Sequence, residues 1–228
     1  MSTILSIDTA TSAGSVAIHK SGELVGLQQY NLEKSHSSLT HVLIEQLLEN
    51  TGVSNGDLGA IAISAGPGSY TGLRIGVSTA KGLCYALDIP LIAVNTLEAM
   101  AQQIANTNTS KAVFCPMIDA RRLEVYCSIF GSNMKPIEET EAVIVDESSF
   151  STHLEKGEVI FFGDGSDKCE PILKHSNARF VKGVIPSANE VGQLAYKKYQ
   201  NKEFENLAYY EPFYLKEFRI IKSKKKLL

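Results

Sequence analysis

Gly66-Pro67-Gly68-Ser69-Tyr70-Thr71-Gly72-Leu73-Arg74-Ile75-Gly76 forms a glycine-rich elbow between two apolar runs. Ala60, Ile61, Ala62 and Ile63 precede it, and Ile75, Val77 and Leu83 carry the pattern on. Glycine loses much backbone freedom on folding, so four of them in eleven residues mark a chain that needs positive φ or close approach by another group. A strand, an elbow and a helix start in series also gather free backbone N–H groups at one spot. Two readings follow: an anion site or a tight protein contact.

Upstream, apolar residues alternate: Ile4, Leu5 and Ile7, then Val16 and Ile18, then Leu24, Val25 and Leu27, with turns at Ala13-Gly14 and Ser21-Gly22. This predicts three antiparallel strands in a meander. Leu39, Val42, Leu43, Leu47 and Leu48 then recur at helical spacing, with Ser35 or Ser37 to cap the helix and Gly52 to stop it. A strand over 59–64 enters the elbow and a helix over 71–87 leaves it. A strand over 91–94 and a helix over 96–105 complete a βββαβαβα unit. The polar stretch 106–110 is the candidate boundary, dividing the chain into a lobe of residues 1–108 and a smaller, worn lobe of 109–228.

Past the boundary the order starts again. A strand over 113–119 ends in Ile118-Asp119-Ala120, as the first ends in Ile7-Asp8-Thr9. Strands over 123–130 and 142–145, a short helix over 148–154, a strand over 159–162 and a helix over 166–174 are expected next. A last helix over 188–200, apolar through Val191, Leu194, Ala195 and Tyr199, is expected to pack back on the body. Internal repetition outweighs any single propensity. Two such units suggest a two-lobed α/β fold of the duplicated ribonuclease-H-like type, the actin-like and Hsp70-like ATPase architecture that sugar kinases share. In that fold the aspartate after the first strand lies near a magnesium–phosphate site between the halves.

Composition narrows the classes. The 228 residues are 44% apolar and 21% charged, as in ordinary globular chains, and suffice for a sizeable core. A net charge of −3 argues against coating nucleic acid by bulk charge. The N-terminus runs straight into a strand-like segment, and no apolar run nears the roughly 18 residues of a membrane span, so a cytoplasmic protein is expected. Cys84, Cys115, Cys127 and Cys169 lie far apart without a C-x-x-C pair, and read as buried reduced thiols.

Several blocks then fall into one order: I-D-T-A-T at 7–11, H-S at 36–37, the elbow at 66–76, D-A-R-R-L-E-V-Y at 119–126 and E-P-F-Y-L-K at 211–216. Together they resemble the TsaB (YeaZ) family, from the first strand to within a dozen residues of the C-terminus. Lys216 departs from the arginine of the family pattern, and lysine does not reproduce a bidentate contact. The resemblance implies a non-catalytic accessory subunit in the making of N6-threonylcarbamoyladenosine at position 37 of tRNAs that read codons starting with A. It implies a TsaD-like paralogue as catalytic partner in a heterodimer, a TsaE-like ATPase in the same assembly, a homodimer when the chain is alone, and tRNA contact only through the complex.

Residues for independent chemistry are sparse. The catalytic relatives hold metal through H-x-x-x-H; the corresponding stretch here places Thr96 and Met100 at the ligand positions, and a hydroxyl with a thioether makes no competent site for iron or zinc. A metallopeptidase is therefore disfavoured. The elbow lacks the lysine of a P-loop and the spacing of a dinucleotide fingerprint, and Gly66-Pro67-Gly68-Ser69-Tyr70 is not a nucleophile elbow. Asp8, Thr9, Gly66, Gly68, Ser69, Asp119 and Arg121 are assigned to a vestigial nucleotide or interface site, with weak ATP or ADP binding as the cofactor expectation and no metal. A stand-alone actin-fold ATPase or kinase is the alternative reading.

Gly72, Gly76, Ala80 and Cys84 fall every fourth residue on one helical stripe, where small side chains let another helix come close. Close packing inside the domain is the plain reading; with the resemblance added, the stripe becomes a docking face. The assigned partner interface is His36, Leu39, Leu43, Leu47, Gly72, Arg74, Gly76 and Ala80. Tyr209, Tyr210, Phe213 and Tyr214 are read as core and hinge packing, and the basic run 222–226 as a solvated tail.

Overall fold

The structure, a computed structural model, describes residues 2–31 and 36–215, with only the backbone of His36. Ser35, Lys216 and the basic run lie outside the described residues. The first sheet has the order β3-β2-β1-β4-β5, built from β1 (Thr3–Asp8), β2 (Ala13–Lys20), β3 (Glu23–Asn31), β4 (Ala60–Gly66) and β5 (Leu91–Asn95). β1 pairs antiparallel with β2 and parallel with β4, which pairs parallel with β5. The second sheet repeats the plan as β10-β9-β6-β7-β8, from β6 (Val113–Asp119), β7 (Glu124–Phe130), β8 (Pro136–Ile144), β9 (Val159–Phe162) and β10 (Ala178–Val181). This is the duplicated, actin-like α/β architecture that the repeat predicts.

All six residues of β1 are buried because helices cover both faces of its sheet. Side chains alternate across the pleat. Leu5, Ile7, Ile61 and Ile63 meet Ile44 and Leu47 of α1 (His36–Thr51) and Val77, Ala80 and Cys84 of α2 (Tyr70–Leu87). Ile4, Ala60, Ala62 and Ile92 meet Ala99 of α3 (Thr96–Ala105) and Val191, Leu194 and Ala195 of α5 (Ala188–Gln200). The other side of α3, with Leu97, Met100 and Ala101, packs against Phe114, Ile118, Ile160 and Phe162 of the second sheet. The Asn95 side-chain amide also donates across to Thr140 of β8 at 3.0 Å.

Four local expectations are corrected. Ala13 and Gly14, expected as a turn, lie inside β2, and the chain turns before them. The helix over 148–154 shrinks to α4 (Ser151–Leu154). Residues 166–174 form successive turns rather than a helix; Pro171 has no N–H to continue a ladder. β10 was not anticipated, and β8 begins well before 142. Among the described residues no helix is long and apolar enough to cross a membrane.

Beneath α5 lies a buried polar patch. His19 and Ser6 are fully buried, and Gly192 sits so close that an added Cβ would approach both within 3.0 Å. Ser15 supports the helix start, accepting from the Ala188 N–H at 2.8 Å. Burial lowers the His19 pKa, against the Asn189 side chain and the Glu23 charge, which raise it. The unfolded chain takes up a proton near the ordinary 6.5 while the folded chain resists, so stability falls as pH drops below that value. His19→Gln is expected to remove this dependence, worth up to about 1.4 kcal/mol per pH unit. Urea melts from roughly pH 7 to pH 5 measure it. Glu190, raised by burial, works in the opposite sense but is common to both chains; a wild-type-minus-variant difference that stays flat with pH refutes the assignment.

Candidate protein-interaction site

The elbow is shaped by the loop after β1. Ser69 caps α2, its hydroxyl accepting from the Gly72 N–H at 3.3 Å, and its own N–H donates to the Ala10 carbonyl at 2.6 Å. The Thr9 hydroxyl donates to the Gly72 carbonyl at 2.8 Å. A Cβ on Gly72 would collide with the Thr9 carbonyl, and one on Gly76 with the Thr9 hydroxyl. Gly66 has φ +110, its N–H donates to Thr96 Oγ1 at 3.2 Å, and the Phe213 carbonyl fills the place of its side chain.

This geometry corrects the stripe. Gly72, Gly76, Ala80 and Cys84 are buried and face their own lobe, so they are not a docking surface. Leu47 is likewise buried, packed on Gly26 of β3, while Leu43 and Leu39 are half-buried. Of the assigned interface, Arg74 is exposed and the His36 side chain lies outside the described residues. The outward surface of α2 instead carries Thr71, Arg74, Ser78 and Gly82, and nothing stands within 4 Å of where a Cβ on Gly82 would be. A groove along this face is lined by Ser37, Tyr70, Arg74, Ile75, Ser78 and Thr79.

Of the residues assigned to a vestigial nucleotide site, Asp8, Thr9 and Gly66 are held inward in the first lobe. Asp8 is fully buried; it takes the Ser64 hydroxyl and, at 3.1 Å, the Ala10 N–H. Thr9 and Gly66 are buried, Gly68 half-buried against Ala10, and Ser69 exposed. Thr96 and Met100 join the lobes: Thr96 holds the elbow, and Met100 Cε stands where a Cβ of Gly163 would be. In the second lobe Asp119 is exposed. It pairs with Lys168, accepts from the Arg121 N–H at 2.7 Å, and its own N–H donates to Asp164 at 3.0 Å. Partial burial works to raise the Asp119 pKa, but Lys168 and the Arg121 N–H outweigh it and hold the carboxyl below its usual value. Arg121 and Arg122 are exposed with φ +71 and +54, left-handed values that ordinary residues seldom adopt. Among the described residues no three His, Cys, Asp or Glu side chains come together to hold a metal ion.

A contact that sequence reasoning missed joins two of the blocks. After α5 the chain runs back as a strap along β5 to the elbow. The Glu205 N–H donates to the Leu91 carbonyl at 2.9 Å and the Phe213 N–H to the Ala65 carbonyl at 2.8 Å. Lys81 of α2 donates to the carbonyls of Ala208 and Tyr210 at 3.3 and 3.2 Å. Tyr214 ends on Tyr70, ring centroids 4.8 Å apart. Tyr210 is partly buried against the first core, as expected, whereas Tyr209 at 84% and Phe213 at 43% are exposed and are no core residues. Neither E-P-F-Y nor G-S-Y names the other as its neighbour; their presence in one set of blocks was the available signal.

Comparison with known proteins agrees with this architecture. The family model for TsaD, tRNA N6-adenosine threonylcarbamoyltransferase, matches residues 30–220. The tRNA threonylcarbamoyladenosine biosynthesis protein TsaB of Escherichia coli is 32% identical over 219 residues, spanning 93% of this chain and 94% of that one. The Bacillus subtilis protein of the same name is 38% identical over 128 residues, 56% of this chain and 55% of its own. The solved YeaZ of Pseudomonas aeruginosa superposes with a TM-score of 0.83 at 26% identity, covering 94% of this chain and all of that one. A Clostridium difficile activator of 2-hydroxyisocaproyl-CoA dehydratase, solved with ADPNP, shares the fold at a TM-score of 0.50 and 12% identity. With a full-length TsaB relative and a matching TsaD model, the chain belongs to the TsaB (YeaZ) family, a branch of the wider TsaD-like group.

Proposed function

We propose that this chain is a non-catalytic subunit of tRNA threonylcarbamoyladenosine biosynthesis, acting in the cytoplasm by docking on a TsaD-like paralogue and keeping it active. The observation that carries the reading is the inward use of four candidate groups of the first lobe. Asp8, Thr9, Thr96 and Met100 are spent on the β1 loop, the elbow and the packing of α3, while the outer surface of α1 and α2 stays open. A surface kept and a reacting centre filled is the pattern of a partner rather than of an enzyme.

The heterodimer uses the α1–α2 face, and the same face makes a homodimer when the paralogue is absent. A TsaE-like ATPase joins the assembly, and tRNA is reached through the complex. Any ATP or ADP held by the chain is residual. In a reconstituted assay with the TsaD-like partner, the TsaE-like ATPase, tRNA, ATP and an activated threonylcarbamoyl donor, modified adenosine is expected only when this chain is added. The chain alone with ATP and magnesium is expected to give no turnover. Sustained hydrolysis by it in isolation would favour the actin-fold ATPase or kinase, and full modification without it would end the accessory reading.

A further inference from the structure

We infer that Tyr214 is a positioning residue: by stacking on Tyr70 it holds Arg74 extended over the α1–α2 groove to receive a carboxylate of the docked paralogue. This rests on the docking reading above and goes beyond it to one side chain and the group that it takes.

Tyr70 and Arg74 stand one turn apart on α2, a spacing at which side chains meet. The Arg74 guanidinium carbon lies 5.2 Å from the Tyr70 ring centroid, and its Nη1 donates to the Tyr70 hydroxyl at 2.8 Å. Rotation of the Tyr70 ring would carry the arginine with it. The far end of the strap bears on that ring. Tyr214 lies against Tyr70 at an interplanar angle of 36°, and Tyr214 is itself fixed by the Phe213 N–H on Ala65. Three side chains thus form one column from strap to surface.

The column ends in the Arg74 guanidinium. Among the described residues no carboxylate lies within ion-pair distance of Arg74. One guanidinium N–H of Arg74 goes to the Tyr70 hydroxyl, which leaves most of the planar donor fork for an incoming group. Arg74 is the charged member of a groove otherwise lined by hydroxyls and Ile75, so the complementary group is an anion, and in a protein partner a carboxylate. Holding a long cationic side chain in place before contact reduces the ordering cost of association, so loss of the stack is felt as weaker binding.

The test is a double-mutant cycle on the full chain, titrated against the purified TsaD-like partner at low and at physiological salt. Arg74→Gln is expected to weaken binding about tenfold and to flatten its salt dependence, as loss of a close charge pair does. Tyr214→Ala is expected to weaken it several-fold in wild type but less than about twofold in the Arg74→Gln background, since coupled residues are not additive. Tyr214→Phe keeps the ring and is expected to bind as wild type. Should Tyr214→Ala lower the melting temperature, Tyr214→Leu, which fills the strap without stacking, takes its place in the cycle. Additive losses, or failure of Tyr214→Phe to bind, overturn the positioning role while leaving docking intact. An Arg74→Gln chain that binds normally overturns the Arg74 contact while leaving docking intact, a wild-type chain that fails to bind the partner ends the docking reading itself, and an Arg74→Gln chain that loses only self-association shows that the carboxylate belongs to a second copy.

Discussion

Gly72→Leu is expected to destabilise the first lobe severely, although the residue lies on a helix and leucine is the better helix former. The Thr9 carbonyl occupies the place of its side chain, and that carbonyl belongs to a loop already fixed by the Ser69 N–H on Ala10 and by Asp8 on the Ala10 N–H. A flexible side chain could move aside; a backbone carbonyl anchored on both sides cannot. Overpacking of this kind costs about 3 kcal/mol, or more where backbone is the obstacle, against a typical total of about 5–15. Gly82→Leu on the outer face of the same helix is the contrast. It meets nothing, gains up to about 1 kcal/mol of helix propensity, and is expected to keep or raise the melting temperature while weakening attachment to the TsaD-like partner. Thermal melts with a binding titration on both variants decide the matter: a Gly72→Leu protein that melts like wild type would return the glycine stripe to the surface.

Gly192→Leu is expected to lift α5 from the first sheet. That helix covers the face formed by Ile4, Ala60, Ala62 and Ile92, and it can come close because the His19 ring and the Ser6 hydroxyl lie directly under Gly192. Even Gly192→Ala forces the ring to move within a closed interior, at about 1–3 kcal/mol. Removing the ring should relieve this, so the pair Gly192→Ala and His19→Ala is expected to be less damaging than the sum of the two singles. Urea melts of the singles and the double give the coupling, and strict additivity would show that the close approach is not what limits α5.

These two sites show how far residue patterns reach. The meander, α1, α2, α3 and α5 were legible because apolar residues kept strict periods and because Gly52 marks a helix end, whereas Ser69 and Asn95 emerge as caps only in the structure. Asp8 and Asp119 announced the repeat. The turns over 166–174 misled because Cys169, Ile172 and Leu173 fall at helical spacing and are needed by the core, whatever backbone delivers them. β10 is short and half-buried, so its alternation carries little signal. The direction of the glycine stripe was not legible at all. A row of small residues states that something comes close, and only the fold says that it is Thr9. The meeting of Tyr214 with Tyr70 depends likewise on the strap's route along β5, which no local pattern encodes.

α3 sits on one side of the candidate boundary in the chain and on both sides of it in space. Leu97, Met100 and Ala101 complete the interior of the second sheet, while Ala99 completes that of the first. A protein that opened and shut like a clam around a nucleotide would have to strip one of those interiors at every cycle. Sharing a helix in this way ties the two interiors together, so that a change in the angle between the sheets has to be taken up at one face of α3.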